Sequence, residues 1–104
     1  MEWNDYDPTW LVEAARDEYH RSGTAGPWLA TALAACTRYH EESPAYFYFV
    51  DPTNANQPGA DWQFLWNIEI ETSPHGALVL DILKPSHAGG QLRVGGVEFL
   101  DRIP

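Results

Sequence analysis

The hydrophobic pattern changes period once along the chain. Before Pro44 it is helical: Leu11, Ala14, Ala15 and Tyr19 recur at i, i+3, i+4 and i+8. Asp7-Pro8-Thr9 ahead of them is a helix start, with Asp7 placed to cap and Pro8 in the first turn, where its missing amide does no harm. His20, Arg21 and Gly23 are stop signals, cations at the carbonyl end and then a residue that accepts positive φ. A second start follows at Gly26-Pro27. Leu29, Ala32, Leu33 and Cys36 repeat the spacing, Tyr39 or His40 extends the stripe, and Pro44 closes the helix. The short connection predicts an antiparallel helical hairpin.

After Pro44 the period is two. Tyr46 to Val50 is strand-like, rich in aromatic residues. Asp51 to Asp61 reads as a loop, and Trp62 to Glu71 then alternates apolar with polar side chains. Ser73-Pro74-His75-Gly76 predicts a turn and Ala77 to Leu83 a third strand. After a connection over Lys84 to Gly90, Gln91 to Leu100 predicts a fourth, with a bulge or turn at Gly95-Gly96. Two helices followed by four strands predict one α+β domain over residues 1–104. The helical hairpin packs on one face of a four-stranded, mainly antiparallel sheet.

Parity divides each strand into two faces. Trp62, Phe64, Trp66, Ile68 and Ile70 share one, with Leu78, Leu80, Ile82, Val97, Phe99, Phe47 and Phe49 as its counterparts. If that face meets the helices, the other displays Tyr46, Tyr48, Asn67, Glu69, Glu71, Asp81 and Glu98, with Gln63 and Leu65, Val79, Leu83 and Leu100 interspersed. Four carboxylates on neighbouring strands repel one another. No Lys or Arg shares that parity within the predicted strands, since Lys84 and Arg102 fall at strand ends.

Composition sharpens this picture. Fifteen acidic side chains face six basic ones, for a net charge of −9, and they are spread through both halves of the chain. With 44% hydrophobic residues the chain is too apolar for a disordered acidic tail. Direct nucleic-acid binding wants a basic stripe, and so does an anionic membrane surface, so neither is an expected partner. The longest apolar run, Leu78 to Leu83, is broken by Asp81 and too short to span a bilayer. Glu2, Asn4, Asp5 and Asp7 follow Met1, the reverse of a secretory leader, so the cytoplasm is the expected location. A single cysteine, Cys36, excludes an internal disulfide.

Catalytic signatures fail on specific residues. His40-Glu41-Glu42 runs into Ser43-Pro44 where zinc binding would need a second His. Gly90 to Gly96 is followed by Val97 where a phosphate loop needs Lys or a hydroxyl, and it lies in a strand. Asp51 to Ala55 begins like a calcium loop, but Trp62 occupies the twelfth position, where the bidentate Glu belongs. Cys36 and His40 stand four apart towards a helix carboxyl end, which disfavours a thiolate, so Cys36 reads as core. His20, His40, His75 and His87 fall at predicted helix ends or turns. No metal, cofactor or enzymatic activity is expected.

In size, acidity, α+β order and lack of catalytic motifs, the whole chain resembles the immunity proteins of bacterial polymorphic-toxin and contact-dependent growth inhibition systems. Locally, Gly76 to Asp81 followed by Val94 to Asp101 is similar to the closing strands of several small bacterial domains. The first resemblance implies a cytoplasmic binding protein that neutralises a cognate toxin, such as a basic nuclease, by protein–protein contact. Strand parity supplies the expected contact residues: Tyr46, Tyr48, Asn67, Glu69, Glu71, Asp81 and Glu98. Tyr anchors interfaces and carboxylates match Arg and Lys. The alternatives are an accessory or oligomerisation domain, which self-repulsion disfavours relative to a monomer, and a small hydrolase using carboxylates with His75 or His87.

Overall fold

A computed structural model of the chain describes residues 2–54, 62–73, 75–85 and 89–103. In order they form β1 (Asn4–Asp5), α1 (Thr9–Ser22), α2 (Pro27–Ala34), β2 (Arg38–Ser43), β3 (Tyr46–Tyr48), β4 (Phe64–Thr72), β5 (Gly76–Leu83), β6 (Arg93–Phe99) and a 3-10 turn at Leu100–Arg102. The class is α+β, and every strand pairing is antiparallel. The sheet has six strands rather than four among the described residues, in the order β1-β2-β3-β6-β5-β4. Parts of the predicted loop, turn and connection (residues 55–61, Pro74 and 86–88, His87 among them) lie outside the described residues.

The helix boundaries follow local chemistry. Thr9 donates to the Asp7 carboxylate from both its amide (3.0 Å) and its hydroxyl (2.6 Å). Those bonds hold the Asp7 carboxyl below the usual aspartate range. Gly23, at φ +72°, ends α1 with its amide on the Tyr19 carbonyl at 2.8 Å.

The second helix is shorter than its stripe predicts. It stops at Ala34, and Arg38–Ser43 is a strand. Thr37, Tyr39 and His40 are β-branched or ring residues that suit a strand better than a helix. Pairing on β3 also covers what would otherwise be an open sheet edge. Tyr39 keeps an inward role, its ring 5.0 Å from Phe47 and 5.1 Å from Tyr6. Cys36 and His40 are therefore not neighbours on one helix.

Both helices cover one face of the sheet. Leu11, Val12 and Ala15 of α1 and Leu29 and Leu33 of α2 pack on Ile70, Leu78, Leu80, Ile82, Val97 and Phe99. Cys36 joins this core, as expected. Its Sγ lies 3.6 Å from the Ala32 carbonyl, and burial pushes the thiol up to about 12.

Two bulges break the parity extended from the sequence. Phe64 opposes Leu83 while Trp66 opposes Ile82, so Leu65 is the extra residue of β4. Trp62 and Gln63 before it sit at φ +58° and +44°. Trp62 and Phe64 therefore turn to the outer face instead of meeting the helices, and their rings stack at 6.2 Å. Trp66 keeps the inward parity but stays 41% exposed at the sheet margin. In β6, Asp81 opposes Gly96 and Ile82 opposes Val94, which makes Gly95 the extra residue expected at this glycine pair. A Cβ on Gly95 would fall 2.6 Å from the Trp62 ring and 2.8 Å from Leu83 Cδ1.

Gly95→Ala is expected to destabilise the fold by about 1–3 kcal/mol through overpacking. A lower urea midpoint at unchanged slope would show it, and an unchanged midpoint would mean that Trp62 does not lie over β6.

Candidate functional site

Residues directly opposite in an antiparallel pair share a face, so the register assigns the outer face without further assumption. One row runs Glu69, Val79, Glu98, Tyr46 across β4, β5, β6 and β3. The next runs Asn67, Asp81, Gly96, Tyr48, His40, reaching β2. Glu71 lies beside Ala77 in a third. All seven residues expected on this face are on it. At a strand spacing of about 4.8 Å, Glu69 and Glu98 stand roughly 10 Å apart at their backbones.

Asp81 differs from the other three carboxylates. It is only 8% exposed, and the Tyr46 hydroxyl donates to it. The geometry depends on Gly96, which lies between them on β6. A Cβ there would fall 2.8 Å from the Phe47 carbonyl oxygen and 3.1 Å from the Tyr46 hydroxyl. The bare backbone lets the Tyr46 ring cross the strand. Burial and the nearby Glu98 carboxylate push the Asp81 carboxyl above the usual aspartate value, and the Tyr46 bond only partly opposes them. Burial and Asp81 together raise the Tyr46 phenol.

Rings that the sequence places elsewhere join the face. His40 lies parallel to Tyr48 at 6.4 Å, Trp62 meets Tyr48 edge-on at 5.8 Å, and Tyr46 meets Tyr48 at 4.9 Å. Trp3 extends the row to 6.1 Å from His40. An aromatic row thus crosses the sheet beside Asp81 and Glu98, with Glu42 3.6 Å from His40. The helical reading of residues 38–43 hid His40 and Glu42. The turn at Trp62 has no periodic signature. Leu100 leaves the face for the 3-10 turn, and Leu83 is buried on it under Trp62.

One cation arrives that parity placed inward. The Gly95 bulge turns Arg93 outward, opposite Leu83. Its guanidinium donates to the Lys84 carbonyl at 3.0 and 3.1 Å rather than to a carboxylate. Arg38 and Arg102 likewise bond the Trp3 and Pro44 carbonyls, and Arg102 stacks on Phe99 at 3.9 Å. The ion pairs among the described residues are Arg21–Glu18 and His40–Glu42, and neither includes Glu69, Glu71, Asp81 or Glu98.

Catalytic geometry is weaker. An open cleft of about 270 Å³ between α1 and the β4–β5 turn is lined by Trp10, Glu13, Asp17, Arg21, Glu71 and His75, among others. The His75 ring lies against Trp10, with centroids 4.1 Å apart and the planes tilted by 38°. Among the described residues no hydrogen bond joins His75 to a carboxylate or hydroxyl. No group of three potential metal ligands occurs among the described residues, and no described helix is long and apolar enough to cross a membrane. No family model, curated protein or solved structure matches the chain at a significant level.

Tyr46→Phe leaves the buried Asp81 carboxylate without its donor, so a loss of about 1–3 kcal/mol is expected at neutral pH. Asp81 holds a proton more tightly folded than unfolded. Stability therefore falls as pH rises from the ordinary aspartate value through the raised one, and the penalty is complete above it. Asp81→Asn, whose side-chain carbonyl still accepts from Tyr46, is expected to flatten that slope. Its urea midpoint at pH 7 should equal or exceed the parent's.

Proposed function

We propose that this chain is a small acidic binding protein that neutralises a cognate bacterial toxin by covering it. A cationic toxin domain such as a nuclease fits best. The observation that carries this is the outer sheet face: Glu69, Glu71 and Glu98 share it with Tyr46, Tyr48 and Trp62, and none of the three carboxylates has an ion-pair partner among the described residues.

Rings bordered by carboxylates suit guanidinium and ammonium groups. The ring face attracts the cation, and the carboxylate takes its N–H donors. Asp and Glu are ordinarily depleted at interface centres, and a basic partner is the case in which they are not out of place. The net charge of −9 would also steer a basic domain towards the face, by about ten- to a thousandfold in association rate at low salt. Such a protein works in the cytoplasm as a monomer, without cofactor, nucleic acid or membrane. Asp81 is a support rather than a contact, because its carboxylate is committed to Tyr46.

A second reading, an accessory domain that self-associates, draws on one observation: Phe64, Leu65 and Trp66 are all more than a third exposed. The negative charge of two copies opposes it.

The test begins with the neighbouring gene, which should encode a secreted protein with a basic carboxy-terminal domain. Co-expression with that domain should rescue growth. Glu69→Lys, Glu71→Lys and Glu98→Lys combined should abolish rescue and leave the stability read from urea unfolding within about 1 kcal/mol of the parent, as expected for two exposed positions and one half-buried one at the surface. Rescue that survives the triple reversal would put the contact elsewhere. A neighbourhood without a toxic product would count against the toxin.

A further inference from the structure

We propose that the cationic partner docks at the free edge of β4, adding an extended segment that alternates basic and apolar residues as a seventh strand. The inference rests on the reading of the outer face as a site for a basic partner, and it names how that partner is held.

The two sheet edges are unlike. β1 at one end is only two residues long, which blunts it for pairing. At the other end β4 is the longest strand, at nine residues, and among the described residues it pairs with β5 alone. A strand bonded on one side leaves alternate amides and carbonyls facing outward, ready for another chain. Among the described residues, the one side chain that bonds the outer row of β4 is Arg21, whose guanidinium reaches the Glu71 carbonyl at 3.4 Å, at the far end of the strand.

Side chains along the edge say what kind of strand it would accept. On the outer face the edge presents Asn67, Glu69 and Glu71, all exposed. Added residues on that side would meet two carboxylates. On the helix side Trp66 is 41% exposed, with Trp28 edge-on to it at 6.2 Å. Added residues there would meet an apolar wall. Side chains alternate across a strand, so the edge matches Lys or Arg at every second position with apolar residues between. The bulge at Leu65 ends the regular stretch, which places the pairing over residues 66–71.

The same carboxylates discriminate. Two copies of β4 side by side would bring Glu69 and Glu71 of both chains into one sheet, at −9 per chain. Charged edge residues of this kind discourage self-pairing, and the sign that repels a second copy attracts a basic strand. Trp66 is the exposed apolar surface on this edge that docking over residues 66–71 would cover.

Amide exchange on the labelled full chain at low salt tests this with three probes. They are a soluble peptide alternating Lys and Val, the same peptide with alternate backbone nitrogens methylated, and oligolysine. The Lys/Val peptide is expected to slow exchange of the outward-pointing amides over residues 66–71 by about tenfold or more, and the methylated form is not. If the Lys/Val peptide binds and shifts Tyr46, Tyr48 and Glu98 while the β4 amides exchange as in the free chain, edge docking is overturned and the acidic-face reading stands. If neither the Lys/Val peptide nor oligolysine perturbs the chain, both fail. A dimer whose β4 amides are protected before any peptide is added would assign the edge to a second copy and overturn the proposal.

Discussion

Two helices cover one face of a six-stranded sheet, and the other face has to manage its own polarity. The Tyr46–Asp81 hydrogen bond across Gly96 is how it does so. It shields a carboxylate at the middle of the sheet and holds the Tyr46 ring beside Gly96 of β6. Beside it, Tyr48, Trp62 and the buried Leu83 form a thin second layer over the Gly95 bulge. Glu69, Glu71 and Glu98 lie together to one side of that layer, toward the β4–β5 turn, and none of them has an ion-pair partner among the described residues. The face is therefore ordered beside the Gly95 bulge and negatively charged toward the β4–β5 turn.

Most of the fold was legible where one period ran unbroken. The α1 stripe, its Gly23 stop and the Gly26-Pro27 start of α2 follow from spacing and capping alone. Leu78, Leu80, Ile82, Val97 and Phe99 lie inward as alternation requires. The parity of Asn67, Glu69, Glu71, Asp81 and Glu98 also held, because none of them is separated from its neighbours by a bulge. The misses have a common cause, which is that long-range pairing decides what local pattern leaves open. Tyr39 and His40 continue the helical spacing of Leu29 to Cys36 although their rings suit a strand better, and the open edge of β3 selected the strand from Arg38 on. β1 is two residues long and carries no period. The bulges at Leu65 and Gly95 inverted the faces of Phe64, Trp62 and Arg93. A glycine pair marked the second bulge, but nothing in Phe64-Leu65-Trp66 marked the first.

Arg93 shows how much such an inversion matters. It brings a guanidinium to a face that parity had left free of cations. Its hydrogen bonds go to the Lys84 carbonyl, and burial lowers its affinity for a proton. Arg38, Arg102 and Arg21 likewise donate to backbone carbonyls, at Trp3, Pro44 and Glu71. Four of the five arginines thus bond the backbone, and among the described residues no cation pairs with Glu69, Glu71, Asp81 or Glu98.

The charge state of that face can be read at one atom. Carboxyl carbon NMR of the labelled chain, titrated at low and at high salt, gives the midpoint of Asp81. Burial holds Asp81 above the ordinary aspartate value, and an uncompensated Glu98 carboxylate adds to that rise, so the midpoint moves down as salt screens Glu98. A midpoint that salt leaves unmoved would mean that a cation of this protein already balances the sheet, and the surface would have no need of a basic partner.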